Sequence, residues 1–522
     1  MLTRKLTIFL LVLEGLLLIS ILLFYVYRGE IHVDEAGYVY AARQIAGGLL
    51  PYHDFLFLQT PVFPYVCAIP FLFGSMTFIM ARCYMALFGI ATIILTMVLA
   101  NRMGGKNAAL LAGFLFIVTP FQLQFFSIAR NFSLTTFWLC AGLVFLTSKP
   151  GSTMTRCMAM IFFCVSMGTR LTLMPVPVLY LGYLFVENGL FSRRFFLPLL
   201  AGCSTLFVII FPFYILDPGR FLYNIIGFHL DISVGGFYSR MILKAIGLSR
   251  LAEYYFMVIL AAVSGVCLLL LWSEHPVRKR GWNDSARQLA FMGAIVAVIG
   301  FGHFSARFFQ VSYQAVIFPV LVLISSVLLA PLETLWSTAA QRRLVSLTLL
   351  ASALIVLLAR GDSGTVYESG SRDIRQARTI ARYFEQQTRP GDIIYSSDST
   401  LIPFMANRTI MKHCVAPEYY PFWSDERVEY LGIFNHRLLK KLFSEQIPDV
   451  LLMSSKSFHV IMPYRTMTPV ELREDLWNMV RRNYDELARF PNVLTPGDET
   501  IIYKRRQTPA AGSPYIIEGK AQ

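Results

Sequence analysis

Residues 28–65 read RGEIHVDEAGYVYAARQIAGGLLPYHDFLFLQTPVFPY, a polar island between two apolar stretches. The first 359 residues carry twelve Asp and Glu, and four of them, Glu30, Asp34, Glu35 and Asp54, fall within 25 residues of this island. Adjacent Asp34 and Glu35 precede Ala36–Ala46, which reads as a helix ended by Gly47-Gly48. Carboxylates at a helix N-terminus are favoured by the backbone dipole. The pair therefore reads equally as a cap on a helix at the membrane surface and as catalytic carboxylates.

Outward from the island the chain is apolar. Of 522 residues, 56% are hydrophobic and 15% charged, with a mean hydropathy of +0.56. Soluble domains are nearer ~25% charged. This composition excludes a water-soluble enzyme, a disordered chain and a fibrous repeat, and it leaves a polytopic membrane protein. The net charge of +14 is uneven: residues 1–359 hold 24 Lys and Arg against 12 acids, and residues 360–522 hold 22 against 20. The basic excess belongs to the membrane part, so it reads as topology and lipid phosphate rather than nucleic-acid binding.

The first apolar run, from Leu6 to about Tyr27, follows Arg4 and Lys5 and reads as an uncleaved membrane helix. Ten more runs centre at 76–100, 108–126, 132–148, 157–169, 172–186, 195–216, 251–272, 288–302, 315–331 and 344–359, giving about eleven spans. One alternating set of loops is short and basic: Arg4/Lys5, Arg102/Lys106, Lys149/Arg156, Arg193/Arg194, Arg278–Arg287 and Arg342/Arg343. By the positive-inside rule these are cytoplasmic. The 28–75 loop, the 217–250 loop and the C-terminal region are then outside, since an odd number of spans puts the tail across the membrane.

The expected organisation is a membrane domain over 1–360, an outer α/β domain over 361–506 and a disordered end over 507–522. In the tail, 371–388 has helical spacing of Ile374, Ala377, Ala381 and Phe384; IIYSS, DVLLMSS (449–455) and ETIIYKR (499–505) read as strands, and 470–482 as a second helix. Seven of the eight cysteines lie in apolar runs and read as core residues.

The pattern of Asp34, Glu35, Tyr38, Ala41, Gly48, Pro51, Tyr52, Asp54 and Phe55, then Gln59-Thr60-Pro61 and Pro64, resembles the GT-C superfamily of integral membrane glycosyltransferases. It resembles most the bacterial branch related to protein O-mannosyltransferases and the lipid A aminoarabinose transferase. The resemblance implies an α-helical polytopic fold of GT-C type and an enzyme that moves a sugar from a polyprenyl-phosphate donor to a lipid-linked glycan, lipid A core or protein acceptor at the outer face, with inversion. It also implies that Asp34 is the general base, because an acceptor hydroxyl is a poor nucleophile until a carboxylate takes its proton. Glu35 then orients the acceptor or joins a metal site, and the DE pair leaves room for a divalent cation without requiring one.

Such a donor needs positive charge at the outer interface, and arginine suits bidentate phosphate binding. Arg130 in SIARN and Arg307 in HFSARFFQVSYQ are the first candidates, followed by Arg240 and Lys244; each also reads as a side chain reaching to lipid headgroups. Tyr38, Tyr52, Asp54 and Gln59 are candidate substrate contacts, although interfacial tyrosines and a Thr60-Pro61 helix start explain the same residues. His229 and His303 read as interfacial hydrogen-bonders. The alternative from another class is a transporter, flippase or non-catalytic subunit of a cell-envelope glycan pathway.

The charge pattern generates a topology prediction. A reporter fused after Arg343 should read cytoplasmic and one after Asp362 periplasmic. A cytoplasmic reading for the tail would contradict the outer-face assignment of Asp34.

Overall fold

The computed structural model describes residues 4–148, 152–231, 237–271, 285–306, 310–330, 374–397, 400–414, 419–461, 466–494 and 497–506. The expected span at 344–359, the basic residues 278–280 and 342–343, Arg307 and the 507–522 end lie outside these residues.

Helices occupy the other ten apolar runs. They comprise α1 (Arg4–Arg28), α4 (Phe78–Gly104), α5 (Lys106–Ile117) with α6 (Pro120–Ser127), α7 (Asn131–Leu146), α8 (Thr153–Thr169), α9 (Pro175–Asn188) and α10 (Arg193–Leu216), then the helices Phe237–Leu271, Ser285–Ser305 and Phe318–Leu329. Among the described residues, five helices, beginning at Lys5, Phe78, Leu171, Arg193 and Ala286, are long and apolar enough to cross a membrane. This is the architecture of a helical polytopic membrane protein.

The run at 108–126, expected as one span, is instead two helices bent by 79°. Pro120 supplies the break. It has no N–H for the preceding turn and excludes the helical region for the residue before it, and Thr119 sits at φ −123°, ψ 67°. α4 starts where the Thr77 hydroxyl accepts from the Met80 N–H (3.3 Å) and stops at Gly105, whose φ of 82° favours glycine. α4 packs on α5 and α7, and α8 packs between α7 and α10.

Between α1 and α4 the outer loop folds into α2 (Val33–Ala46) and α3 (Val62–Ala68). α2 matches the expected helix, and Gly47 ends it.

The tail is α/β as expected. Its main sheet has the order β1 (Ile394–Ser396), β2 (Val450–Ser454), β6 (Glu499–Arg505), β5 (Tyr484–Pro491). β1 and β2 run parallel with Ile394 opposite Val450, and the other neighbours are antiparallel. The Ile374–Gln387 helix buries Ile374, Ala377, Ile380, Ala381 and Phe384, its apolar face. β5, polar along most of its length, is the strand that sequence alternation does not announce. β3 (Val460–Ile461) and β4 (Thr466–Met467) form a separate antiparallel pair.

The tail is seated on the outer loop. The Tyr40 hydroxyl accepts from the Ile410 N–H (2.9 Å), Arg43 donates to the Arg408 carbonyl (2.6 Å), and the rings of Phe71 and Phe404 meet edge to face. Leu56, Phe228, Tyr420, Val428, Leu431 and Ile433 form a second contact cluster. Outer loop and tail therefore share one continuous buried surface.

Candidate active site

α2 begins with the backbone half of a capping box, in which the side chain three residues on accepts from the N-cap N–H. His32 is the N-cap, and its N–H donates to Glu35 Oε1 (2.8 Å). Glu35 has no exposed surface, nor has Arg82 of α4. Arg82 grips the carboxylate with two donors, Nε to Oε2 at 2.8 Å and Nη2 to Oε1 at 2.6 Å. The Ala129 N–H adds a fourth bond, to Oε2 at 2.9 Å. A carboxylate offers about four lone-pair sites, so Glu35 is saturated. The remaining Arg82 donors reach the carbonyls of Gly29 (2.9 Å) and Glu30 (2.7 Å), with Tyr25 and Val26 at 3.4 Å. Removing one partner of such a buried pair typically costs about 3–5 kcal/mol.

Asp34, one residue earlier, faces the other way. Its side chain is 43% exposed and accepts from Arg130 Nη2 at 2.6 Å. Arg130 Nη1 stands 2.9 Å from His32 Nε2. A guanidinium only donates and a neutral imidazole accepts at one nitrogen. Nε2 is then the acceptor and Nδ1 carries the proton, 3.8 Å from Asp34 Oδ2. In this tautomer the 3.2 Å approach of the Asp34 N–H to Nδ1 is a contact, not a hydrogen bond.

A third buried arginine, Arg170, stands beside Arg130. The guanidiniums of Arg130 and Arg170 lie 4.7 and 4.8 Å from the Phe132 ring, and Arg170 is also 4.9 Å from Tyr313. Arg170 donates to Asn131 Oδ1 (2.9 Å) and Thr172 Oγ1 (3.2 Å), and Asn131 donates to Gln59 Oε1 (3.2 Å). Glu35 is committed to Arg82, so two buried cations face Asp34 as the carboxylate at this point. The site is suited to an anion.

The remaining sequence candidates are placed as follows. Tyr38 is buried with its ring against Phe57 and Phe63, and burial foremost, with Asp34 nearby, pushes its hydroxyl above the ordinary range. Tyr52, at φ 70°, packs edge to face on Phe57, Phe213 and Phe221 and donates to the Gln59 carbonyl (2.6 Å); it is a pin of the loop core. Asp54 accepts from the Leu50 N–H (2.7 Å) and pairs with His53 (2.8 Å), closing the 50–54 turn. Gln59 joins the arginine network. Arg240 and Lys244 stand on the Phe237–Leu271 helix; neither bonds Asp34, and Lys244 lies over Phe304, 5.1 Å from its ring. Phe304 borders an apolar cavity of about 390 Å³ lined also by Leu248, Tyr255, Val296, Phe318 and Gln314, the neighbour of Tyr313. His229 lies 3.1 Å from the Leu58 carbonyl, and His303 is buried beside Tyr313. Among the described residues no three His, Cys, Asp or Glu gather as a metal would require.

Sequence reasoning missed His32, Arg82, Asn131 and Arg170 as site residues. Arg82 carried a signal, being a lone charge in an apolar run, where ionisable residues usually have a partner and a role. Arg170 looked like one more loop cation.

No family model matches the sequence, and no curated protein matches it. Solved structures that share its fold include the following. ArnT from Cupriavidus metallidurans in the apo state is 15% identical, with TM-score 0.62, covering 94% of this chain and 97% of its own. The same protein bound to undecaprenyl phosphate is 14% identical with TM-score 0.62, covering 96% and 99%. The archaeal oligosaccharyltransferase AglB from Archaeoglobus fulgidus, with an inhibitory peptide and a dolichol-phosphate, is 12% identical with TM-score 0.53, covering 96% and 74%. These structures and this chain share one fold, in keeping with the architecture expected from the resemblance.

The packing of Tyr52 generates a stability prediction. Tyr52→Ala should cost about 3–5 kcal/mol, as for other buried aromatic truncations, and Tyr52→Phe about 1 kcal/mol for the lost hydrogen bond. Thermal unfolding of the detergent-purified protein reads both. An unchanged midpoint for Tyr52→Ala would place the ring outside the core.

Proposed function

We propose that the chain is a membrane glycosyltransferase that moves a sugar from a polyprenyl-phosphate donor to an acceptor hydroxyl at the outer face of a bacterial inner membrane. The observation that carries this reading is the juxtaposition of the half-exposed carboxylate of Asp34 with the buried guanidiniums of Arg130 and Arg170. The fold supports it, since ArnT is known bound to undecaprenyl phosphate and AglB with a dolichol-phosphate.

In this reading Asp34 removes the proton of the acceptor hydroxyl as its oxygen forms a bond to the anomeric carbon. The bond from that carbon to the phosphate oxygen breaks, the lipid phosphate leaves with the electron pair, and the configuration inverts. Arg130 and Arg170 stabilise the charge that collects on the phosphate. Buried donors aimed at developing charge act more strongly than they would in water. The lipid stem then runs beside the apolar cavity that ends at Gln314, and the tail, seated on α2, offers the surface that meets the glycan, lipid A core or protein acceptor.

The test is sugar transfer by purified protein in liposomes, with a polyprenyl-phosphate-linked sugar and no ion gradient. Asp34→Asn should lower turnover about 10²–10⁴-fold, the usual range for a lost general base, while binding of undecaprenyl phosphate persists. Arg170→Ala should weaken donor use equally for two different acceptors. Near-normal turnover of Asp34→Asn would overturn the assignment, and transport that requires a gradient would favour the transporter reading.

A further inference from the structure

We infer that Glu35 and Arg82 are positioning residues that fix the separation of Asp34 and Arg130; the inference rests on the reading of those two residues given above. Glu35 follows Asp34 in the chain, and Ala129 precedes Arg130. One carboxylate therefore holds both segments: Oε1 takes the His32 N–H at the start of α2, and Oε2 takes the Ala129 N–H at the turn into α7. Arg82 locks that carboxylate from the other side and ties it to the end of α1 through Gly29 and Glu30. Arg130 joins the two held segments, 2.6 Å from Asp34 Oδ2 and 2.9 Å from His32 Nε2.

Saturation excludes the other roles for Glu35. All four of its acceptor positions are used by backbone and Arg82, so it has none for an acceptor hydroxyl or a metal ion. Its negative charge is also neutralised within the pair. What it transmits to the site is geometry. Arg170, by contrast, is held by Asn131 and Thr172 and touches neither Glu35 nor Arg82. Loss of the pair should thus separate two properties that a general loss of folding would lower together: anion binding through Arg170 stays, and the alignment of Asp34 goes.

Three variants test this. Glu35→Gln replaces one acceptor by an NH2 that must face N–H donors. Glu35→Asp keeps the charge but is shorter by one methylene and cannot span His32 and Ala129. Arg82→Lys keeps the charge without the fork. Misplacing a reacting group by about 1 Å can cost about 10²-fold in rate. The expected result is a fall in kcat of about that size for all three, with the Kd for undecaprenyl phosphate within about threefold of wild type in the folded fraction. A kcat within about threefold of wild type for Glu35→Asp and Arg82→Lys would overturn the inference. So would loss of undecaprenyl phosphate binding and of kcat in parallel, each tracking the folded fraction.

The geometry has its own readout, independent of turnover. A structure of Glu35→Asp by electron cryomicroscopy in nanodiscs should show Asp34 and Arg130 separated, and an intact pair would refute the positioning role. If wild type transfers no sugar from any polyprenyl-phosphate donor, the enzymatic reading fails, and the cryomicroscopy result still decides whether Glu35 holds the two segments.

Discussion

A carboxylate and a guanidinium without exposed surface, Glu35 and Arg82, organise the junction of α1, α2, α4 and α7. Burying two charges is expensive unless each lone pair and proton finds a partner. Here the ion pair, anchored in the second turn of α4, gathers backbone partners from the end of α1, the start of α2 and the turn before α7. Each of those backbone groups lies where regular hydrogen bonding stops, so each needs a partner of its own. The helix termini and the ion pair therefore satisfy one another, and none of these segments can shift without leaving a buried polar group unmet.

The same commitment sets the electrostatics beside it. With Glu35 neutralised, the next layer holds Asp34 against Arg130 and Arg170, and the surplus is positive. Phe132 keeps both guanidiniums against one ring face or edge, while Asn131 and Gln59 carry the network back to the outer loop. The tail closes over this region by polar bonds to Tyr40 and Arg43, both on α2. Helix α2 thus serves three surfaces at once: the ion pair below, the arginines beside it and the tail above.

Much of this was legible in the sequence. Four acids crowded into one loop marked its importance, the Gly47-Gly48 pair ended α2, and apolar spacing located the Ile374–Gln387 helix and the strands β1, β2 and β6. The division of labour between Asp34 and Glu35 was not legible. It depends on Arg82, 47 residues further along, and on an N–H at Ala129, which no local pattern connects to the loop. Tyr52 and Asp54 look like ligand contacts in a motif, yet packing turns one into a core pin and the other into a turn closure. The bend within the run at 108–126 was hidden for a different reason: hydropathy sees the apolar run and not the break that Pro120 makes at Thr119.

The central claim is that the lipid phosphate is held where Arg130 and Arg170 meet Phe132, within reach of Asp34. The most direct measurement is a cryomicroscopy structure of the protein in nanodiscs loaded with undecaprenyl phosphate. The account predicts phosphate density within hydrogen-bonding distance of both guanidiniums, with the isoprenoid leading toward the cavity between Tyr255 and Phe304. Phosphate density at Arg240 or Lys244 instead, with Arg130 and Arg170 untouched, would contradict it.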